Sequence, residues 1–195
     1  MVPYATNSSE RKNVPFVLAV LSILFALALN RLQVWFDFTI PWYVESPSVL
    51  GFYGLLYSWF DKNLWNLNTM RRTGLVRIPN LNGKWEGYIL SSADNYAEKK
   101  PAVLVVKQSW TEISLKLESA QSKSDNLTSS INILKTGSVE IIYEYRNEPN
   151  ATAPKTMNPN RGTAHLEYQE NELKGDYYTG RGRETHGEMY FTRTM

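Results

Sequence analysis

The chain has 195 residues, with 21 Lys and Arg against 19 Asp and Glu, two His and no Cys. The lack of cysteine excludes a disulfide framework, thiol catalysis and a thiolate metal site, and two histidines are too few for most histidine-based metal centres. A net charge of +2 is not the signature of a protein that binds a nucleic-acid polymer.

The first apolar stretch runs from Val14 to Leu29 and is interrupted only by Pro15 and Ser22. Together with its continuation to Trp35, it supplies roughly the 20 residues that cross about 30 Å of hydrocarbon. The sequence therefore predicts a first transmembrane helix over about 14–35.

A second apolar stretch follows Ser46-Pro47, two residue types that favour a helix N-cap and a first helical turn. It predicts a second transmembrane helix over about 47–67. The uninterrupted apolar part, 49–60, is short, so spanning requires Asp61 and Lys62 to lie near the membrane interface. The alternative is an amphipathic helix that lies within the interface.

Charges around this membrane region, 1–79, predict its orientation. The loop between the helices holds one basic residue with two acidic ones, and it carries aromatic residues typical of an outer interface: Trp35, Phe36, Phe38, Trp42 and Tyr43. Basic residues lie outside both helices, at Arg11, Lys12, Arg71, Arg72 and Arg77. The positive-inside rule places both termini in the cytoplasm of a two-pass protein of a bacterial inner membrane. A cleaved signal peptide is the rival reading of 11–28.

After Pro79 the apolar pattern changes to alternation with period two, interrupted by Asn, Gly, Ser and Pro clusters. It predicts eight strands, near 84–92, 102–109, 111–119, 127–134, 138–147, 162–169, 172–179 and 185–193. Their short connections favour sequential antiparallel pairing. We therefore expect residues 80–195 to form an all-β, eight-stranded, up-and-down, lipocalin-like barrel in the cytoplasm.

Alternation also assigns one face of each strand to the barrel interior. The residues predicted to point inward are Ile113, Leu115, Leu117, Ile141, Tyr143, Tyr145, Ala164, Leu166 and Tyr168. A barrel of this size is either filled by its own side chains or holds one small ligand, and the sequence leaves both open. The longest irregular stretch, 147–160, favours a plain loop over a lid.

The first predicted strand opens with Gly83-Lys84-Trp85, which is similar to the Gly-x-Trp start of lipocalin-type barrels. In those barrels the tryptophan closes one end. The pattern favours a core position for Trp85 over stacking on a ligand.

The last predicted hairpin, 175–187, concentrates side chains suited to a nucleotide. Arginine suits phosphate oxygens and tyrosine rings stack on bases, and the hairpin offers Arg181, Arg183, Tyr177, Tyr178, Thr179 and Thr185. A solvated hairpin without a ligand is the alternative. The hairpin lacks the ending of a Walker loop, and neither His165 nor His186 has the partners of a catalytic triad. We expect no catalytic residue, no metal and no cofactor, hence no enzyme.

The paired helices, the LNGKWEGYI strand and the GDYYTGRGRETHG hairpin resemble the two-transmembrane β-barrel effectors of bacterial CBASS anti-phage systems, the CD-NTase-associated, STING-like membrane effectors. The resemblance implies that a cyclic dinucleotide made by a partner nucleotidyltransferase binds the barrel. It further implies that binding drives self-association, disruption of the inner membrane and death of the infected cell. The lipid bilayer and further copies of the chain are then partners, and no nucleic-acid polymer is.

Candidate ligand-binding residues follow from this resemblance. Arg183 is the first of them, and the others are Arg181, Tyr177, Tyr178, Thr179, Thr185, Trp85, Tyr143, Tyr145 and Tyr168. Two rivals remain, a tethered lipocalin-like barrel for an apolar ligand and a filled barrel that acts as a protein scaffold. The first predicts an apolar pocket with the arginines outside it, and the second predicts no cavity.

Overall fold

The computed structural model describes residues 1–37, 41–151, 153, 157–180 and 183–194, and among these it leaves the side chains of 42–48 undescribed. The chain forms two compact units, one of residues 8–77 and one of residues 1–7 with 78–195. Residues 1–7, which the sequence analysis grouped with the membrane region, thus belong to the second unit.

The first unit is helical. Its elements are α1 (Glu10–Trp35), α2 (Trp42–Lys62), a 3₁₀ turn (Leu64–Asn66) and α3 (Asn68–Arg72). Among the helices of the described residues, α1 alone is long and apolar enough to cross a membrane by the criteria of length and composition. Apolar side chains on its surface are exposed, including Phe16 at 70% and Val34 at 75%.

Helix α2 begins earlier than the sequence indicated. Pro41, with extended backbone angles, is its N-cap residue, so Ser46-Pro47 lies inside the helix and does not start it. The helix ends at Lys62 because Asn63 leaves the helical conformation with φ of −129°, and the chain then tightens into the 3₁₀ turn. Phe38, part of the predicted aromatic belt, lies outside the described residues, as do the side chains of Trp42 and Tyr43.

The second unit is a mostly antiparallel β-structure, and the predicted all-β class is confirmed. Its strands are β1 (Val2–Ala5), β2 (Gly83–Ser91), β3 (Lys100–Gln108), β4 (Glu112–Ser119), β5 (Ser122–Ile133), β6 (Val139–Pro149), β7 (Asn160–Gln169), β8 (Glu172–Thr179) and β9 (His186–Arg193). From β2 to β9 each strand pairs antiparallel with the next, and β9 pairs back with β2. The sheet is thereby a closed barrel.

Strand β1 was not predicted. It lies between β4 and β5, antiparallel to the former and parallel to the latter. Four residues just ahead of a long apolar run are too short a segment for a period-two pattern to stand out.

The barrel interior follows the predicted alternation of side chains. The core of this unit includes Trp85, Leu104, Ile113, Leu115, Ile131, Ile141, Leu166 and Phe191, each at most 2% exposed. Leu117 and Tyr168, also predicted to point inward, are partly buried against this core. The residues predicted to face inward on β4, β6 and β7 are therefore buried or partly buried, as expected.

Candidate functional site

The inner face of the barrel changes character from one end to the other. On β4 the inward positions read Ile113, Leu115, Leu117 and Ser119, and on β6 they read Val139, Ile141, Tyr143, Tyr145 and Asn147. Strand β8 shows the same gradient from Leu173 to Tyr177 and Thr179. Each strand runs antiparallel to the next, so β4, β6 and β8 run in the same direction. The polar ends of their inward faces therefore lie at the same end of the barrel.

A cavity of about 300 Å³ occupies that polar end, a volume at the lower bound of typical small-molecule sites. Its walls come from the strand ends and the connecting turns. The lining residues are Ile89, Ser91, Glu98, Lys99, Lys100, Pro101, Leu117, Ser119, Ala120, Gln121, Ser122, Ser124, Tyr143, Tyr145, Asn147, Met157, Asn160, Tyr177, Thr179, Arg183, Thr185 and Met189.

Of the described residues, three with cationic side chains line the cavity, and two of these side chains have partners. Lys100 lies 2.7 Å from the carboxylate of Asp94, and this hydrogen bond lowers the pKa of that carboxyl. Lys99 lies 4.3 Å from the centre of the Tyr88 ring. No carboxylate in the described part of the chain forms an ion pair with Arg183. Its half-buried guanidinium is therefore available to an anionic ligand.

Aromatic rings form a second part of the wall. Tyr143 and Tyr145 are 2% and 8% exposed and lie side by side on β6, with ring centres 6.2 Å apart. Burial raises the pKa of both hydroxyls above the ordinary tyrosine value. At neutral pH both hydroxyls are protonated and can act as donors. Tyr177 approaches from β8.

Glycine makes room for two of these rings. Tyr145 is paired across the sheet with Gly162, and Tyr177 is paired with Gly187. A Cβ atom on Gly162 would overlap the Tyr145 ring, and one on Gly187 would lie 2.5 Å from the Tyr177 ring. The two glycines thus leave room for the tyrosine rings to approach the backbone of the neighbouring strands.

The turn that carries Arg183 is closed by a pair of threonines. The Thr179 hydroxyl donates to the Thr185 carbonyl at 2.9 Å and accepts from the Thr185 amide at 2.7 Å. The backbone amide of Gly180 donates to the carbonyl of Arg161 at 2.6 Å. These bonds hold Thr179, Gly180 and Thr185 in place on either side of Arg183, and they thereby help to position Arg183 in the cavity wall.

The structure brings together part of the predicted site. Arg183, Tyr177, Thr179, Thr185, Tyr143 and Tyr145 all line the cavity. Tyr178 does not, because strand alternation points it outward, where it is 56% exposed. Arg181 lies outside the described residues.

Trp85 and Tyr168 belong to the packed end of the barrel. Trp85 is fully buried, its indole N–H donates to the Leu81 carbonyl at 3.0 Å, and its ring meets Tyr168 edge to face. Arg193 covers the indole ring at 4.6 Å. The core reading of Trp85 agrees with this position.

Sequence reasoning missed much of the polar wall. Lys99 and Lys100 lie between predicted strands, and Gln121 lies in a tight turn. Asn147 and Asn160 bound the stretch read as a plain loop, although both belong to strands. For Asn147 a signal was available, the shift from apolar to polar residues along the inward face of β6.

A closed barrel that is packed at one end and hollow, cationic and aromatic at the other has the architecture of a small-ligand-binding β-barrel. Residues 76–193 match the family model described as "Cap15, cyclic dinucleotide receptor domain". The chain belongs to the Cap15 family, and the resemblance to CBASS effectors is confirmed at that level.

Two relatives carry the description CD-NTase-associated protein 15. The one from Yersinia aleksiciae is 33% identical over 147 residues, which cover 73% of this chain and 68% of that protein. The one from Staphylococcus schleiferi is 34% identical over 90 residues, covering 46% of this chain and 48% of that protein. The chain therefore matches about two thirds of the first relative and about half of the second.

Proposed function

We propose that this chain is a CBASS effector whose barrel cavity binds a cyclic dinucleotide and whose helices disrupt the bacterial inner membrane after self-association. The observation that carries the proposal is the position of Arg183, without a carboxylate partner among the described residues, in a tyrosine-walled cavity. Every described residue that lines that cavity lies within 76–193, the segment that matches the receptor-domain model.

The chemistry of the cavity suits this ligand class. A cyclic dinucleotide carries two phosphate charges and two bases. Arg183 can pair with a phosphate, and Tyr143, Tyr145 and Tyr177 offer ring faces or hydroxyls to the bases and sugars. The hydroxyls and amides of the far wall, at Ser119, Ser122, Ser124, Asn147 and Asn160, can read the polar edges.

The rival readings explain the cavity less well. An apolar ligand calls for a wall of Leu, Ile, Val and Phe with the arginines outside, whereas Arg183 and many polar groups line this wall. A barrel that served only as a scaffold would be filled by its own side chains, whereas this one is hollow at one end.

Chain connectivity supports two membrane crossings. Residues 1–7 and 78–195 belong to one compact unit, so the segment between them leaves that unit and returns to it. If α1 crosses the bilayer, a second crossing is required, and α2, with 21 residues, is long enough to supply it. The basic residues that flank the helices support a cytoplasmic position for the barrel and both termini. Cleavage of α1 as a signal peptide would remove β1 from the barrel.

Self-association has a candidate surface on α2. Gly51 and Gly54 lie one helical turn apart, and a Cβ atom on either would meet nothing within 4 Å. Among the described residues, neither glycine is thus required for close packing, and small residues favour close approach of helices in lipid.

The test is reconstitution of the full chain into dye-loaded vesicles of phosphatidylethanolamine and phosphatidylglycerol, followed by addition of a panel of cyclic dinucleotides and their linear counterparts. We expect leakage with a cyclic member of the panel and none with linear controls. Arg183→Ala should raise the nucleotide concentration needed for leakage about 10- to 150-fold, and Arg146→Ala should leave it unchanged because Arg146 is exposed and pairs with Glu148. Leakage that is independent of nucleotide, or absent with every cyclic dinucleotide, would contradict the proposal.

A further inference from the structure

The barrel wall divides between β4 and β5. These strands pair directly only over Lys116–Glu118 and Lys123–Asp125, next to the turn that joins them. β4 and β5 pair no further along β5 than Asp125, next to a register shift of the β5–β6 pair between Asn126 and Thr128, and β1 pairs with both strands beyond that point. The wall is therefore continuous only while a strand from elsewhere in the chain occupies this slot.

Asn126 lies at the point where β4 and β5 cease to pair with each other. Its side-chain oxygen accepts the amide of Leu115 at 2.9 Å, and its side-chain nitrogen donates to the Ser129 hydroxyl at 2.7 Å. The side chain is 9% exposed. The Asn126 amide takes the place of backbone bonds at this point, so the Leu115 amide and the Ser129 hydroxyl have a partner whether or not β1 is present.

Side chains of and just after β1 add to its strand pairing with β4 and β5. The Tyr4 ring is buried in the core, and its hydroxyl donates to the Trp110 carbonyl at 2.6 Å. The Asn7 side chain bonds both the amide and the carbonyl of Ile133, at 2.9 and 3.0 Å. None of these contacts depends on the chain that follows Asn7, so the same sequence from a second copy fits the slot equally well.

The strands that form the slot also contribute to the cavity, and the strand that fills the slot is followed in the chain by α1. Ser119, Ser122 and Ser124, at the β4–β5 turn, line the cavity. At its other end, β1 is separated from α1 only by residues 6–9. A ligand that shifts the β4–β5 turn therefore acts on the two strands that hold β1.

We propose that β1 is an exchangeable strand and that, in the active assembly, the β4–β5 slot of one copy holds β1 of a neighbouring copy. The inference rests on the proposed function and assigns a contact surface to its self-association. Exchange preserves the described pairing of β1 with β4 and β5, and confinement to a membrane raises the effective concentration of neighbouring strands. Each copy donates one strand and accepts one, so the assembly can extend from copy to copy.

The lack of cysteine permits a direct test. Ala5 and Ser130 are partners in the β1–β5 pair, and both are close to cysteine in size. Full-length Ala5→Cys with one tag is mixed in membranes with full-length Ser130→Cys carrying another tag, and a short thiol cross-linker is added. A cyclic dinucleotide that binds should produce a mixed-tag product. A matched pair, Ala5→Cys with Thr163→Cys on the outer face of β7, should not produce it, because it reports only random collision.

A locked variant tests the same inference in the opposite direction. Ala5→Cys/Ser130→Cys, cross-linked within one copy before ligand is added, should bind the nucleotide in calorimetry but fail to assemble. The same variant left uncross-linked should do both. Ligand-induced assembly without mixed-tag product, or assembly by the locked variant, would overturn strand exchange while leaving the proposed function intact. A chain that binds no cyclic dinucleotide in calorimetry would instead overturn the proposed function.

Discussion

Tyr145 and Gly162 face each other across the β6–β7 pair, and the glycine leaves no side chain to displace the tyrosine ring. The ring forms part of the cavity wall, and its hydroxyl points toward the carbonyl of Tyr178 at 3.4 Å. The position of a proposed ligand-binding group is thus set by a residue on the neighbouring strand.

Gly162→Ala should weaken cyclic dinucleotide binding and lower the free energy of unfolding, because the added methyl overlaps the Tyr145 ring and the Tyr178 carbonyl. Calorimetry and thermal unfolding measure the two effects. Gly175→Ala is the matched control, because the atoms nearest to its methyl would be backbone atoms of His165 and Leu166, neither of which lines the cavity. It should lower stability and leave the affinity of the folded protein unchanged. Equal loss of affinity in both variants would contradict this role of Gly162.

Adjacent tyrosines on β8 should behave differently. Tyr177→Ala should reduce affinity about 5- to 150-fold, the range expected from loss of about 1–3 kcal/mol of base stacking, because its ring lines the cavity. Tyr178→Ala should leave affinity unchanged, since that side chain points outward. Titration of both variants decides the matter, and a larger loss with Tyr178→Ala would place the ligand outside the barrel.

Trp85→Ala should cost about 3–5 kcal/mol of folding free energy, as expected for loss of a buried tryptophan. The side chain is fully buried and is not among the residues that line the cavity. The change also removes the hydrogen bond from the indole to the Leu81 carbonyl. Chemical denaturation measures the cost. A variant that folds with full stability but cannot bind nucleotide would contradict the core assignment.

The barrel should lose stability in alkaline solution. Burial raises the pKa of Tyr143 and Tyr145 above the unfolded value near 10. Their contribution is therefore complete below about pH 10 and decreases as the pH rises beyond it, because the unfolded chain ionises more readily. Unfolding free energies measured between pH 8 and pH 11 should fall more steeply for the native chain than for Tyr143→Phe/Tyr145→Phe. Parallel curves would contradict the prediction.

The strands were predictable because their burial pattern is local. Alternation along β4, β6 and β7 repeats every two residues, so the inward set could be read from the chain, and the placement of Tyr177 inside and Tyr178 outside follows from the same rule. The start of α2 was missed because Ser46-Pro47 offered a local helix signal that lies within a longer helix.

Two features depend on contacts between distant segments and could not be predicted locally. Strand β1 is defined by its partners Ile113 and Ser129 rather than by its own four residues. The polar wall joins Lys99 and Asn160, which are far apart in the chain and meet only when the barrel closes. Neither the segment around Lys99 nor the segment around Asn160 has a sequence pattern of its own that indicates a binding site.

The most direct test of the receptor site is calorimetric titration of the detergent-solubilised full chain with a panel of cyclic dinucleotides, repeated with Arg183→Ala and Arg146→Ala. Loss of a charged hydrogen bond of about 1.5–3 kcal/mol predicts a fall in affinity of about 10- to 150-fold for Arg183→Ala. Arg146→Ala should bind like the native chain. Unchanged binding by Arg183→Ala, or no binding across the panel, would contradict the assignment of the cavity as the cyclic dinucleotide site.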